Sequence, residues 1–216
     1  MYKIDLHTHS SASPDGGIKV EQYAHALATG LLDVIAVTDH NRIDFAVELH
    51  KKLGNRIIIG EEIMTTDGEI IGLYLDNLVE PNLSPLETVK QIKKQGGIVY
   101  IPHPFETIRK GLMPVAIEKI LDQVDIIETC NGRAFLQNRG TQAITWARIN
   151  HIIGAASSDA HGYQGLGKTY TVVKQIPTHD TLLDLFMSGT LVTNRPNLRS
   201  LLYPKYHHLR KRLLKT

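Results

Sequence analysis

The chain lacks the features that define several whole classes of protein. Among its 216 residues there is one cysteine, Cys130, so no disulfide can form within the chain. No apolar run is long enough to cross a bilayer, and no secretory signal comes before the first apolar segment. These absences exclude a disulfide-stapled scaffold and a membrane-spanning protein, and they predict a location in the cytoplasm.

A strong charge of one sign is also missing. The formal net charge is +2, while 42% of the residues are hydrophobic and 21% are charged, which is ordinary for a soluble globular protein. No linker, internal repeat or low-complexity segment divides the chain. We therefore predict one domain that spans residues 1–216 and has a continuous core.

Metal-binding side chains, by contrast, follow one apolar run after another. His7 and His9 end the first run, and because side chains alternate across a strand, they project from one face and can chelate one ion. Histidines and carboxylates also close four later runs: Asp39 and His40, Glu61 and Glu62, His103, and Asp159 and His161. In a parallel α/β fold these strand ends meet at one rim, where functional sites form.

The chemistry of these side chains restricts the metal. Imidazole and carboxylate ligands together suit zinc, manganese or iron, whereas magnesium and calcium prefer oxygen ligands alone. A single histidine at a strand end is more often a hydrogen-bonded structural residue than a ligand. Five clusters at the ends of five separate runs nevertheless make a multinuclear metal hydrolase the better interpretation.

Helical patterns alternate with these strand-like runs. Residues 19–29 and 44–53 carry apolar residues at helical spacing, and each is followed by a glycine that is the expected C-cap. Ser84 precedes a third helix as its N-cap, and residues 134–150 are expected to form the longest helix. Repeated βα units of this length predict a parallel sheet that is closed, or nearly closed, into a barrel.

One segment, residues 62–75, interrupts the alternation. It predicts two short strands around Asp67-Gly68, a dipeptide that favours a hairpin turn. Such a hairpin would return Glu69 toward the rim at which Glu62 lies.

The motifs occur in a fixed order that covers nearly the whole chain: His7-x-His9, Thr38-Asp39-His40, Gly60-x-Glu62-Ile63, His103-Pro104 and Ser158-Asp159-Ala160-His161. In this combination the chain resembles the polymerase-and-histidinol-phosphatase (PHP) family, and most of all its stand-alone metal-dependent phosphoesterase branch. The resemblance implies a single domain with a distorted (β/α)7 barrel, similar to a TIM barrel. It also implies two or three divalent ions, manganese, zinc or iron, at the carboxyl-terminal rim.

The resemblance further implies which residues hold each ion. The ligands of the first ion would be His7, His9, Glu62 and Asp159. Glu62 would bridge to a second ion that His103 also holds, and the ligands of a third ion would be Asp15, His40 and His161. The family often has a histidine where this chain has Glu69. A carboxylate can still bind a metal, so Glu69 is a candidate ligand that would alter the preference of the second position.

A phosphoesterase is the function that the resemblance implies. Two closely spaced cations lower the pKa of a water between them and neutralise the charge that develops on an attacked phosphoryl group. The expected substrates are phosphate monoesters or diesters, namely a nucleotide, a small phosphorylated metabolite or a nucleic-acid end. His161 or His40 is predicted to assist proton transfer to the leaving group.

Basic residues near the rim are candidate contacts for the substrate phosphate. A guanidinium suits bidentate phosphate binding, so Arg133, which follows an apolar run, is interpreted either as such a contact or as a surface residue. Arg195 has the same two interpretations, of which a surface loop is favoured. Lys168 is at most a phosphate contact. Residues 162–169 match a nucleotide-binding P-loop pattern, but that motif needs a following helix, and the next residues predict a strand.

The C-terminal segment, at about residues 195–216, is basic and contains no acidic residue. It could bind nucleic acid or an anionic membrane, or form a terminal helix whose leucines cover part of the barrel, and the second interpretation is slightly favoured. The segment also supports an alternative function, a non-catalytic metal-binding barrel that binds nucleic acid or a protein partner. The nearly complete ligand set favours catalysis, because a binding module does not need an open polynuclear site.

Overall fold

The computed structural model describes residues 1–134, 137–194 and 198–213. Within them the strands are β1 (Tyr2–Asp5), β2 (Val34–Val37), β3 (Ile57–Met64), β4 (Glu69–Leu73), β5 (Ile98–Ile101), β6 (Ile126–Asn131), β7 (Ile153–Ser157), β8 (Thr169–Val173) and β9 (Thr190–Thr193). The helices are α1 (Val20–Ala28), α2 (Asp44–Leu53), α3 (Pro85–Lys94), α4 (Pro114–Glu118), α5 (Gly140–Ile149), α6 (Leu182–Met187) and α7 (Leu198–Leu213).

The described strands form one sheet in the order β7-β6-β5-β4-β3-β2-β1-β8-β9. The sheet curls so that β7 approaches β8, where the hydroxyl of Thr171 accepts from the backbone nitrogen of Ala156 at 3.0 Å and donates to its carbonyl oxygen at 3.1 Å. An isolated parallel bridge also joins Thr8 to Ala160. The prediction of a single α/β domain with a nearly closed, barrel-shaped sheet is confirmed.

The sheet is mixed, whereas the alternation of strands and helices predicts a parallel one. β1, β2 and β3 are mutually parallel, as are β5, β6 and β7. β4 runs antiparallel to both of its neighbours, because the turn at residues 65–68 folds it back on β3. β8 is antiparallel to both β1 and β9. The predicted hairpin is confirmed, and it is one reason that the barrel is distorted.

The predicted helices form where their end signals are strong. α1 and α2 end as expected, with Gly30 and Gly54 in the left-handed region at φ values of +65° and +70°, which glycine adopts without steric penalty. At α3 the Ser84 hydroxyl accepts from the backbone nitrogen of Glu87 at 3.3 Å, in a reciprocal capping box. The expectation for residues 134–150 is wrong in extent. α5 has 10 residues, and α7, with 16, is longer.

Alternation along the central strands separates two parts of the core. Val34 and Ala36 of β2 pack inside the barrel with residues such as Tyr100, whereas Ile35 and Val37 pack beneath α1 and α2. Because both faces of β2 are buried, its polar side chains occur only beyond its carboxyl end. This packing places the metal-binding residues at the rim.

The expectation that the leucines of the C-terminal segment cover the barrel is wrong for three of the five. Leu201 is partly buried, and Leu214 lies outside the described residues. Leu202, Leu209 and Leu213 have 61%, 60% and 66% of their surface exposed. No helix within the described residues has the length and apolar character needed to cross a membrane.

Candidate metal centre

His7 and His9 lie in the extended segment that follows β1, and both are fully buried. The backbone nitrogen of His9 donates to the carbonyl oxygen of Ala160 at 2.8 Å, which keeps this segment extended beside the β7 loop. Thr8, between them, points the opposite way and donates its hydroxyl to the carbonyl oxygen of Ala36 at 2.6 Å. The alternation predicted from the His-x-His spacing is therefore present, and the Nε2 atoms of the two histidines lie 3.1 Å apart.

Two carboxylates complete this first cluster. Asp159 Oδ1 lies 3.6 Å from His7 Nε2 and 3.5 Å from His9 Nε2. Glu62 Oε1 lies 3.5 Å from His7 Nε2, and Glu62 Oε2 lies 3.2 Å from His9 Nε2. Four donors at about 2.1 Å from one ion in tetrahedral geometry would lie roughly 3.4 Å from one another. The donors of His7, His9 and Asp159, which lie 3.1 to 3.6 Å apart, fit one divalent transition metal ion in both chemistry and spacing, and Glu62 lies beside them.

Glu62 faces more than one cluster. Its Oε1 atom also lies 3.0 Å from His103 Nε2, and its Oε2 atom lies 3.2 Å from His40 Nδ1. Only 1% of Glu62 is exposed, and the surrounding histidines overcome the effect of burial and lower the pKa of its carboxyl well below the ordinary value. An ionised, buried carboxylate with histidines at both oxygens has the position of a bridging ligand.

A second cluster contains the residue in which the chain departs from the family pattern. The hairpin brings Glu69 beside Glu62, with Glu69 Oε1 3.5 Å from His40 Nδ1 and Glu69 Oε2 3.7 Å from His103 Nε2. Burial, together with the charge of Glu62, raises the pKa of Glu69 to about 9. A carboxyl in such a place is held neutral unless a cation comes close.

A third cluster forms where the loop between β1 and α1 meets the β7 loop. Asp15 Oδ2 lies 3.1 Å from His161 Nε2 and 3.5 Å from His40 Nε2. Burial, His9 and Arg133 lower the pKa of His161 to about 3, so its ring is neutral. His161 Nδ1 lies 3.0 Å from the carbonyl oxygen of Asp159. When Nδ1 donates there, Nε2 directs a lone pair at Asp15, as a ligand to a shared cation requires.

Two of the candidate ligands have strained backbones. His103 and Asp159 have φ values of 28° and 51°, in the left-handed region that residues other than glycine rarely adopt. Such conformations persist where the surrounding structure enforces them, and they concentrate at functional sites. Every metal ligand predicted from the sequence thus lies in these adjoining clusters, whose donors make up four overlapping groups that could each hold an ion.

Glu128 is a residue whose importance the sequence did not reveal. Its Oε1 atom lies 3.2 Å from His7 Nδ1 and accepts from the Tyr100 hydroxyl at 2.9 Å, and its Oε2 atom accepts from the backbone nitrogen of His103 at 2.6 Å. A carboxylate at Nδ1 fixes the histidine tautomer and turns Nε2 toward the metal position. Glu128 lies inside β6 and not just after it, so it is not among the side chains that follow the apolar runs.

Arg109 was also missed. Its Nη1 atom donates to Asp159 Oδ2 at 2.7 Å and to Asn131 Oδ1 at 2.6 Å, while Nε and Nη2 donate to Glu106 Oε2 at 2.8 and 2.7 Å. Arg109 therefore holds one oxygen of Asp159 and leaves the other facing His7 and His9. It lies in a turn-rich segment with no apolar run before it, so neither periodicity nor spacing marks it in the sequence.

The candidate phosphate contacts have different surroundings. Arg133 lies at the rim, with Nη1 3.2 Å from Asp159 Oδ1 and 3.3 Å from His161 Nδ1. Lys168 is exposed and, together with Arg133 and His161, lines a small void beside the third cluster. Arg195 lies outside the described residues. Residues 163–165 form a short 3-10 turn that leads to β8, so the P-loop pattern lacks its helix, as expected.

A larger cavity of about 810 Å³ lies next to Arg133. Its lining is mixed, with hydroxyls and amides beside the half-buried Cys130 and the aliphatic Ile144 and Leu201. The polar residues that line it include Thr129, Asn131, Asn138, Thr141, Thr169 and Asn194. Its volume is within the usual range for small-molecule sites.

Comparison with known proteins agrees with this geometry. Residues 5–164 match the model of the PHP domain, and residues 138–191 match a PHP-associated model. An uncharacterised protein of Methanocaldococcus jannaschii is 38% identical over 149 residues, which cover 63% of this chain and 87% of the relative.

Two solved structures share the fold. One is a two-domain protein of Bacteroides vulgatus that contains a predicted PHP-like metal-dependent phosphoesterase. It has a TM-score of 0.71 and 21% identity, and the match covers 96% of this chain and 69% of that one. The other is a lesion-specific endonuclease of Pyrococcus furiosus, with a TM-score of 0.62 and 14% identity over 88% of this chain and 57% of that one.

Proposed function

The chain belongs to the PHP domain family, and from this premise we propose that it is a hydrolase that cleaves phosphate esters with two or three divalent ions. The observation that carries the proposal is the position of Glu62. One of its oxygens faces His7 and His103 and the other faces His9 and His40, all within 3.5 Å. A carboxylate shared in this way suits a centre with more than one ion.

The donor set indicates the metal class. The clusters around Glu62 combine histidine nitrogens with carboxylate oxygens, which favours manganese, zinc or iron over calcium. Such ions, when bound, polarise a phosphoryl group and activate water, which is the chemistry that phosphate-ester hydrolysis needs. Other residues of the chain position the ligands, because Glu128 orients His7 and Arg109 holds Asp159.

Arg133 is proposed to bind the substrate phosphate. Its guanidinium lies beside the first and third clusters, and its buried Nε atom has no hydrogen-bond partner among the described residues. A phosphate oxygen would satisfy that group and would pair with its charge. Lys168, which is exposed nearby, is proposed as a second contact.

The cavity beside Arg133 supports a small substrate. It is large enough for the nucleoside or sugar of a phosphorylated metabolite, and its hydroxyls and amides offer hydrogen bonds to polar groups. The endonuclease with a similar fold motivates the other candidate, a nucleic-acid end. We therefore propose a nucleotide, a small phosphorylated metabolite or a nucleic-acid end as substrate.

His40 and His161 are proposed either to hold a third ion or to assist proton transfer to the leaving group. Their Nε2 atoms face the same oxygen of Asp15. A nitrogen that coordinates an ion cannot also carry a proton, so one Nε2 atom cannot serve both roles at once. His161→Gln separates them, because loss of turnover with unchanged metal content indicates proton transfer, and loss of both indicates ligation.

The first experiment is hydrolysis of an aryl phosphate and of an aryl phosphodiester with added manganese, together with metal analysis of the purified protein. His7→Ala is the control, since it removes a ligand of the first ion. We expect turnover by the wild type and none by the variant. Equal turnover by both would contradict the proposal, and bound metal with no turnover on any ester would favour the non-catalytic metal-binding barrel.

A further inference from the structure

One face of α7 lies against the two loops that carry Asp15 and His161. Tyr203, His207 and Lys211 recur every four residues, so they share this face. The rings of Tyr203 and His207 stack with their centroids 5.6 Å apart. Each of the three residues contacts the loops at a different point.

The rings of His207 and Tyr203 pack directly against Gly17 and Gly162. A Cβ atom at Gly17 would lie 2.2 Å from the His207 ring, and one at Gly162 would lie 2.7 Å from the Tyr203 ring. Gly162 has an extended backbone, with φ at −160°. A side chain at Gly17 or Gly162 would collide with α7. Gly17 is two residues from Asp15, and Gly162 follows His161, so α7 lies directly beside two ligands proposed for the third ion.

Lys211 connects α7 to the backbone of the Asp15 loop. Its Nζ atom donates to the carbonyl oxygens of Ser11 and Gly16, each at 2.7 Å, and to that of Ser13. These three hydrogen bonds join one ammonium to one loop of six residues. The Ser13 hydroxyl in turn donates to Asp15 Oδ1 at 3.0 Å.

The hydrogen bonds within this loop are longer than those that Lys211 makes. The backbone nitrogen of Ser13 donates to the carbonyl oxygen of Ser10 at 3.2 Å, and that of Gly16 donates to the carbonyl oxygen of Ser13 at 3.3 Å. The loop also has to keep Asp15, a residue with 23% of its side chain exposed, opposite His40 and His161. A tie from outside the loop would limit the conformations open to it.

We propose that Tyr203, His207 and Lys211 are positioning residues, through which the C-terminal helix holds the Asp15 loop in the conformation that binds the third ion. The inference rests on the proposed function for the identity of that ion. It assigns the basic helix a role in positioning a metal ligand, because the ammonium of Lys211 donates to the backbone of the loop that carries Asp15.

The test compares Lys211→Met with Lys205→Met in the full chain. Lys205 is exposed on the same helix, so its variant makes the same change of charge away from the loop. In metal-free protein, amide hydrogen exchange of residues 11–17 should become at least tenfold faster in Lys211→Met and stay unchanged in Lys205→Met. With manganese, the weakest of the bound ions should lose about tenfold in affinity in Lys211→Met alone.

Gly17→Val provides a second variant that leaves Lys211 in place. The added side chain collides with the His207 ring, so we expect the same faster exchange and the same loss of affinity, with circular dichroism unchanged. Exchange and manganese affinity equal to those of Lys205→Met in both variants would overturn the proposal. A wild type that binds only two ions would remove the third ion from the proposed function, and the exchange measurement would still decide whether α7 holds the loop.

Discussion

At the scale of single residues, the hydrogen bonds behind the ligands decide what the ligands can do. A histidine binds a metal ion through one nitrogen, and the partner of the other nitrogen fixes its tautomer. Glu128 is the partner of His7 Nδ1, and it also accepts a hydrogen bond from the backbone nitrogen of His103. It thereby links two clusters that share no sequence motif.

Glu128→Gln should weaken binding of the first ion by about 10- to 100-fold, because an amide cannot accept at both oxygen positions as the carboxylate does. Manganese or zinc affinity, measured by competition with a chromogenic chelator, tests this. Tyr100→Phe is the matched control, since it removes another hydrogen bond to Glu128 but leaves the contact to His7. An affinity loss no larger than that of the control would contradict the role of Glu128.

Glu61 allows a prediction about stability rather than activity. Burial raises the pKa of its carboxyl from 4.5 to about 7, and the backbone nitrogen of Val79 donates to one of its oxygens at 3.0 Å. In the unfolded chain this carboxyl ionises near 4.5, so the folded state binds the extra proton between these values. The contribution of Glu61 to the free energy of unfolding is therefore lost as the pH rises from about 4.5 through 7.

Glu61→Gln removes that proton equilibrium. Relative to the wild type, the metal-free variant should gain about 2–3 kcal/mol of unfolding free energy between pH 5 and pH 8. Urea denaturation at several pH values measures the difference. A stability difference that does not change with pH would show that Glu61 is ionised alike in the folded and unfolded chain.

At the scale of elements, the β3–β4 hairpin is responsible for the unusual second cluster. It sets Met64 opposite Glu69, and so carries the Glu69 carboxyl back to the rim beside Glu62. Two carboxylates placed together repel each other unless a proton or a cation is shared between them. The same residue should therefore destabilise the metal-free protein and strengthen metal binding.

Glu69→Gln should separate these two effects. Without metal, the melting temperature of the variant relative to the wild type should rise progressively from about pH 4.5 to pH 9, because over this range the unfolded wild type ionises Glu69 while the folded wild type must keep its proton. With metal, the number of ions bound, or the affinity of the weaker one, should fall. Changes of the same sign in both states would contradict the assignment of Glu69 as a ligand.

The sequence predicted those elements whose signals are local. The Asp67-Gly68 turn, the capping box at Ser84 and the strand-end ligands all follow from neighbouring residues. Arg109 and the contacts of α7 did not, because each depends on segments that are distant in the chain. Lys211 is 195 residues from Gly16, whose carbonyl oxygen it reaches, and no periodicity encodes such a pairing. For the same reason, the leucines of α7 did not indicate that the helix contacts the barrel through Tyr203, His207 and Lys211.

At the scale of the whole molecule, the centre concentrates buried carboxyl groups whose charge must be balanced. Glu62, Glu69 and Asp159 are all at least 95% buried within one region. Burial of ionised groups is costly unless opposite charges accompany them. In the metal-free protein Glu69 therefore keeps its proton, Arg109 and Arg133 pair with Asp159, and the raised pKa values of His7 and His9 keep both rings protonated. Divalent ions would replace those protons, so metal binding should be coupled to the stability of the entire domain.

Removal of metal should consequently lower the melting temperature. An ion present at 100 times its dissociation constant, which binds only the folded chain, adds about 2.7 kcal/mol, or about 5–10 °C for a domain of this size. Calorimetry with a chelator and with excess manganese measures the effect. In His7→Ala the difference should shrink by the contribution of the first ion, whereas in Lys205→Met it should persist. A wild-type melting temperature that is the same in chelator and in manganese would mean that the three clusters hold no ion, because a ligand bound only by the folded state must stabilise it.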